Sequence, residues 1–76
     1  MNEKRRTALL EAAGFLDSAS DLIRRTLTQE AMSMDNVLDN LRSAGRFDRM
    51  DDAIEAMEEA IQNIDDAKES LRQARS

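Results

Sequence analysis

The second half of the chain carries a seven-residue repeat of apolar side chains. Between residues 47 and 75, apolar residues recur at alternating steps of three and four, and only Lys68 interrupts them. The members are Phe47, Met50, Ile54, Met57, Ile61, Ile64 and Leu71. This spacing makes one apolar stripe along a helix, and such a stripe is stable only when another helix covers it. The repeat therefore predicts a helix that packs against helices.

The first half also has a helical period, but its apolar stripe is wider. One line contains Leu9, Ala12, Leu16, Ala19, Ile23 and Leu27. A second line, Ala8, Phe15 and Leu22, lies one position before members of the first. A wide stripe can cover more than one neighbour, so we expect Ala8, Phe15 and Leu22 to form a self-association face. Gly14 either lets another helix approach closely or is simply tolerated there.

The middle of the chain is where the helical pattern loosens. Asp35 and Asn36 offer helix-capping side chains, and the apolar residues after them support a short helix over about residues 36–42. The first helix could instead continue through this region, since no strong helix breaker is present. Gly45 then marks a turn over residues 43–46, because glycine is the usual left-handed residue after a helix end.

These elements predict an all-α fold, an antiparallel helical hairpin in a single domain over residues 1–76. The expected helices are about 3–31 and about 47–74, joined through the short central helix or kink and the turn. There is no proline and no alternation with period two, so strands are not expected. A chain of 76 residues supports only a marginal core. We therefore expect the hairpin to self-associate into a helical bundle as a homo-oligomer.

The net charge of −5 is concentrated at one end of the chain. Residues 51–76 contain eight acidic and three basic side chains. The acidic residues considered as a partner-binding face are Asp51, Asp52, Glu55, Glu58, Glu59, Asp65 and Asp66. They form either a solvated surface or a site for a basic partner. With two aromatic residues and no basic patch, direct binding of nucleic acid is not expected.

Catalytic and metal-binding residue sets are missing from the sequence. The chain has no histidine and no cysteine, which removes the usual nucleophile–base pairs and transition-metal ligands. We therefore expect no enzymatic activity, no catalytic or metal residues and no cofactor. No signal peptide and no stretch apolar enough for a membrane span is recognisable, so a cytoplasmic location and no membrane association are expected.

Two arginine pairs are the candidates for binding an anion. Arg5 and Arg6 begin the first helix, and Arg24 and Arg25 lie near its middle. Arginine offers a planar fork of donors that suits phosphate or carboxylate. The alternative is an ordinary helix surface balanced by nearby acidic residues.

Several segments resemble a family of small acidic helical proteins encoded by phages and prophages of Gram-positive bacteria. The resemblance lies in the opening Met-Asn-x-Lys-Arg-Arg, the pair Asp35-Asn36, and Arg46 to Met50 followed by Asp-Asp-Ala-Ile-Glu-Ala-Met-Glu-Glu-Ala-Ile. It spans nearly the whole chain. The family has no assigned activity, and the resemblance implies a viral accessory protein. For such a protein we expect binding to a host protein, in the cytoplasm of the host cell.

Three functions are consistent with these observations. The leading one is a non-enzymatic protein–protein interaction module that binds or inhibits a host protein, with a defence protein as one candidate. The second is a homo-oligomeric bundle that sequesters a small anionic ligand, such as a nucleotide signal, at pockets lined by the arginines. The third is a structural or scaffold component.

Overall fold

The structure is a computed structural model, which describes the backbone of residues 1–40 and 44–76 and the side chains of residues 1–33 and 50–76. It contains two helices, α1 (Glu3–Asn40) and α2 (Ala44–Arg75). The two helices pack against each other, and the described part of the chain has no strand. The Cα envelope measures 57 × 14 × 11 Å. The predicted all-α helical hairpin is confirmed.

Two ion pairs between the helices show that they run antiparallel. Arg24 lies 3.9 Å from Asp65, and the Lys68 ammonium group pairs with the Asp17 carboxylate. The later residue of α1 therefore pairs with the earlier residue of α2. These pairs also set the register, because each one identifies residues that lie at the same height along the hairpin.

The contact line between the helices, called the seam below, follows a heptad pattern on both of them. Its members are Leu9, Ala13, Leu16, Ser20, Ile23 and Leu27 on α1, and Met50, Ile54, Met57, Ile61, Ile64, Lys68 and Leu71 on α2. Apart from Ser20, which is 5% exposed, these side chains are only half-buried. Each helix covers the other on one side only, so no apolar side chain in the described part of the chain is fully buried.

Two residues of the predicted α1 stripe, Ala12 and Ala19, lie off the seam, and the residue that follows each of them takes its place. Ala19 was expected on the contact line, but it is exposed, and its neighbour Ser20 is buried instead. The hydroxyl of Ser20 accepts a hydrogen bond from Nε of Arg24 at 3.3 Å, which satisfies this buried polar group. The alternating steps of four and three from Leu9 to Leu27 pass through Ser20. The sequence reasoning chose Ala19 for the contact line because alanine is apolar and serine is not.

The predicted break in the middle of the chain was wrong. The helix expected to end near residue 31 continues without interruption to Asn40, so the short helix over 36–42 is not a separate element. Leu41 and Arg42, at the end of that range, lie outside the described residues. The segment contains no proline or glycine, and Met34 and Val37 continue the heptad after Glu30 at steps of four and three. The alternative of one continuous helix is the one observed.

The predicted turn over residues 43–46 was also wrong for residues 44–46. α2 begins at Ala44, so Gly45 and Arg46 belong to its first turn. Ser43 lies outside the described residues. Glycine and alanine are compatible with a helix start as well as with a turn, and the sequence contains no capping box to place the boundary.

The outer ends of the helices have local hydrogen bonds that explain their positions. The Asn2 side-chain oxygen accepts a hydrogen bond from the backbone N–H of Arg5 at 2.9 Å, which caps the start of α1. Arg72 and Arg75 lie in the last turn of α2, where positive charge is favourable. In the described part of the chain, neither helix has a window apolar enough to cross a membrane.

Candidate functional site

The antiparallel arrangement divides the hairpin surface into two faces on either side of the seam. Arg24 and Asp65 each follow a seam residue by one position, and they pair with each other. Residues that follow the seam on α1 and on α2 therefore lie on the same side of the hairpin. By the same geometry, residues that precede the seam on both helices lie together on the opposite side.

The side that follows the seam, called the charged face below, is rich in ionised side chains. It comprises positions 10, 14, 17, 21, 24 and 28 of α1 and positions 51, 55, 58, 62, 65, 69 and 72 of α2. Its ionised members are seven carboxylates, Asp17, Asp21, Asp51, Glu55, Glu58, Asp65 and Glu69, and two arginines, Arg24 and Arg72. This face therefore has a negative potential.

Charge pairs on this face shift the pKa values of three groups. The hydrogen bond from Lys68 to the Asp17 carboxylate raises the pKa of the lysine, against a smaller opposing effect of desolvation. Nε of Arg72 donates a hydrogen bond of 2.9 Å to Oε2 of Glu69, which lowers the pKa of the glutamate and raises that of the arginine. Each of these shifts favours the ionised form, so the three groups remain ionised near neutral pH.

The charged face contains a shallow groove of about 470 Å³ between the helices. Its lining includes Leu10, Gly14, Asp17, Asp65 and Arg72. A side chain added at Gly14 would meet no atom within 4 Å, so this glycine does not serve a close approach within the chain. The groove is open and carries both signs of charge, which suits contact with a protein surface better than enclosure of a small molecule.

The structure divides the acidic residues that the sequence singled out into two sets. Asp51, Glu55, Glu58 and Asp65 lie on the charged face. The other three, Asp52, Glu59 and Asp66, each lie two positions after a seam residue, on the outer side of α2.

Three carboxylates of the charged face were missed by the sequence reasoning. These are Asp17, Asp21 and Glu69, two of them on α1. Each of these residues directly follows a seam residue. That position, together with antiparallel pairing of the helices, would have assigned them to the charged face.

The two predicted arginine pairs do not form one site within a chain. They lie 19 residues apart on α1, which corresponds to about 28 Å along a helix. Arg6 pairs with Glu3 at 3.3 Å, and Arg24 with Asp65. Arg24 and Arg25 also border an open depression of about 370 Å³.

The side that precedes the seam, called the uncharged face below, has the opposite character. Between positions 8 and 33 of α1 and between positions 53 and 74 of α2, it comprises Ala8, Ala12, Phe15, Ala19, Leu22, Thr26, Gln29 and Ser33, and Ala53, Ala56, Ala60, Asn63, Ala67, Ser70 and Ala74. None of these fifteen positions is charged, in a chain of which 36% is charged. At the same spacing, the next position is Arg5 on α1 and Arg49, whose side chain lies outside the described residues, on α2. Phe15 is 69% exposed and Leu22 is 59% exposed.

The predicted self-association residues all belong to the uncharged face. Ala8, Phe15 and Leu22 are exposed, as a contact surface for another helix requires. The sequence reasoning missed the α2 half of the face, where every residue is small. This half could have been recognised from a second heptad of small residues, which runs from Ala53 to Ala74 one position before the apolar repeat.

Among the residues that the structure describes, no group of acidic side chains is arranged to hold a metal ion. Comparison of the chain with protein-family models, curated proteins and solved structures gives no match. The two faces of the hairpin are therefore the features from which a function is argued.

Proposed function

We propose that the protein is a non-enzymatic binding module that engages a basic protein surface through its charged face. The observation that supports this is the separation of charge, with seven carboxylates on the charged face and no charged residue over positions 8–33 and 53–74 of the uncharged face. Helix packing holds the backbone of these carboxylates in fixed rows. Folding therefore orders them in advance, and less conformational entropy is lost when a partner binds. A field of one sign also steers a partner of the opposite sign.

The partner class follows from the chemistry of this face. Carboxylates in rows along two rigid helices match lysine and arginine side chains and repel phosphate groups, so a nucleic acid is a poor ligand. The resemblance to phage-encoded accessory proteins supports a host protein as the partner, in the cytoplasm of the host cell. A host-defence protein with a basic surface is the specific candidate.

The test compares two double charge reversals of equal size. Glu55→Lys with Glu58→Lys alters the charged face, and Asp52→Lys with Glu59→Lys makes the same change in net charge on the outer side of α2. Each tagged protein is used to capture partners from a lysate of Gram-positive cells, and the Kd of a captured protein is then measured with purified components. We expect the charged-face variant to raise the Kd by a factor of about 10 or more.

The matched control separates a specific face from a general charge effect. The variant on the outer side of α2 should keep a Kd within about threefold of the wild type, and added salt should weaken the wild-type complex. Equal losses in the two variants would contradict a specific role for the charged face. Retention of the partner by both variants would contradict it as well.

A further inference from the structure

We infer that the uncharged face is the interface of a homodimer, in which a second copy of the chain completes a four-helix bundle. The hairpin leaves every described apolar side chain at least partly exposed, and the two largest on this face, Phe15 and Leu22, are more than half exposed. An isolated pair of helices cannot cover these side chains. A second copy is available whenever the protein itself is present.

The shape of the uncharged face favours a second copy over an unrelated partner. Its α1 half carries the bulky Phe15 and Leu22, and its α2 half carries only small residues from Ala53 to Ala74. A two-fold axis parallel to the helices places α1 of one copy against α2 of the other, so bulky side chains meet small ones at both contacts. The face is thus complementary to itself.

The register of the hairpin adds a second match. The pairs Arg24–Asp65 and Asp17–Lys68 place residue 22 level with residues 63–67, and residue 15 level with residues 70–74. An axis parallel to the helices preserves these heights in the second copy. Leu22 of one copy therefore meets Asn63 and Ala67 of the other, and Phe15 meets Ser70 and Ala74.

The area and the chemistry of the face are compatible with a dimer. The face runs from residue 8 to residue 33 of α1, about 38 Å at 1.5 Å per residue, and the Cα envelope is 14 Å wide, so the two copies together offer about 1,000 Å², the lower bound for a specific interface. No charge has to be desolvated there. The Thr26 hydroxyl already donates a hydrogen bond to the Leu22 carbonyl oxygen at 2.8 Å, so its burial costs little.

The dimer also keeps the negatively charged faces of the two copies apart. Stacking two copies through their uncharged faces points both charged faces outward, on opposite sides of the bundle. The carboxylates of the two copies are then kept apart, which limits the repulsion expected for chains of net charge −5. This inference does not depend on the proposed function, because the two rest on opposite faces.

The first test compares matched leucines on the two faces by light scattering coupled to size exclusion. Leu22 on the uncharged face is 59% exposed, and Leu10 on the charged face is 53% exposed. We expect the wild type and Leu10→Asp to have twice the 8.6 kDa mass of one chain. Leu22→Asp should have the mass of one chain, or lose helicity if the hairpin folds only as a dimer.

The second test maps the contact and does not require a destabilised variant. The chain has no cysteine, so Leu22→Cys and Ala67→Cys each introduce a single thiol. The two variants are mixed, unfolded and refolded together and then oxidised, so that every disulfide joins two chains. Mass spectrometry of peptides should find mainly the bond between position 22 of one chain and position 67 of the other.

The results that would overturn the inference are equally specific. A wild-type mass of one chain at all concentrations would exclude the dimer. Disulfides that link only position 22 to position 22, or only position 67 to position 67, would exclude the packing of α1 against α2. A normal mass for Leu22→Asp, together with a single-chain mass for Leu10→Asp, would place the interface on the charged face.

Discussion

The ammonium group of Lys68 on α2 pairs with the carboxylate of Asp17 on α1, at a seam position where the heptad calls for an apolar side chain. Ser20 and the pair Arg24–Asp65 lie close to it, so polar groups interrupt the middle of an otherwise apolar seam. Such a polar layer favours one register of the helices at a cost in stability. The Lys68–Asp17 pair therefore helps to fix which residues share a height.

Replacing this lysine should change stability in a direction set by the new side chain. Lys68→Met restores the apolar repeat, and we expect a higher Tm by circular dichroism because more apolar area is covered. Lys68→Glu places a carboxylate beside Asp17 and Asp65, so its Tm should fall below that of the wild type. Lys4→Met, at an exposed position outside the seam, is the control and should not raise the Tm. A lower Tm for Lys68→Met would show that the ion pair outweighs the apolar contact.

Gly14 offers a second test, because it lies inside α1 with open space where a side chain would be. Gly14→Ala should stabilise the protein by about 1 kcal/mol, since alanine has the higher helix propensity. For a domain of this size, that gain corresponds to a rise in Tm of about 4–8 °C. Glu11→Ala, on the same helix, is the control and should change the Tm much less. A lower Tm for Gly14→Ala would mean that another molecule approaches this position closely.

The Glu69–Arg72 pair predicts a contribution to stability that depends on pH. The hydrogen bond from Arg72 lowers the pKa of Glu69 below its ordinary value of 4.5. A group with a lowered folded-state pKa stabilises the protein above its unfolded-state pKa, and the contribution disappears as the pH falls through the folded-state value. The Tm advantage of the wild type over Glu69→Gln should therefore be present at neutral pH, begin to fall near the ordinary pKa of 4.5, and vanish once the pH is below the lowered pKa of Glu69.

The readout for this prediction is the difference in Tm between the two proteins, because protonation of the other carboxylates affects both. A difference that stays constant from pH 7 to pH 3 would contradict the role of the ionised glutamate. The effect should be small, since both side chains are half exposed or more and the pair is screened by solvent.

The sequence was sufficient to predict the helical hairpin because the apolar repeat from Met50 to Leu71 can be satisfied only by another helix. It was not sufficient to place the ends of the helices near the turn. Ala44 and Gly45 are found both in turns and in first helical turns, and the local residues favour neither strongly. The structure continues α1 to Asn40 and begins α2 at Ala44, where the local residues gave no decisive signal.

The two faces illustrate a different limit of sequence reasoning. Phe15 and Leu22 were recognisable as an extra apolar line, since large side chains are conspicuous. The small residues of α2 were not, because alanine suits any helix position. Whether Asp17 shares a face with Glu69 depends on the direction and register of the pairing, and the structure supplies both.

The most direct test of the dimer is the dependence of Tm on protein concentration, measured by circular dichroism over about a hundredfold range. If a second copy covers the uncharged face, folding and association are linked, and the wild-type Tm should rise steadily with concentration. The Tm of Leu10→Asp should rise in parallel. A fully helical protein whose Tm stays the same over the whole range would contradict the account, because the hairpin would then be stable without a second copy.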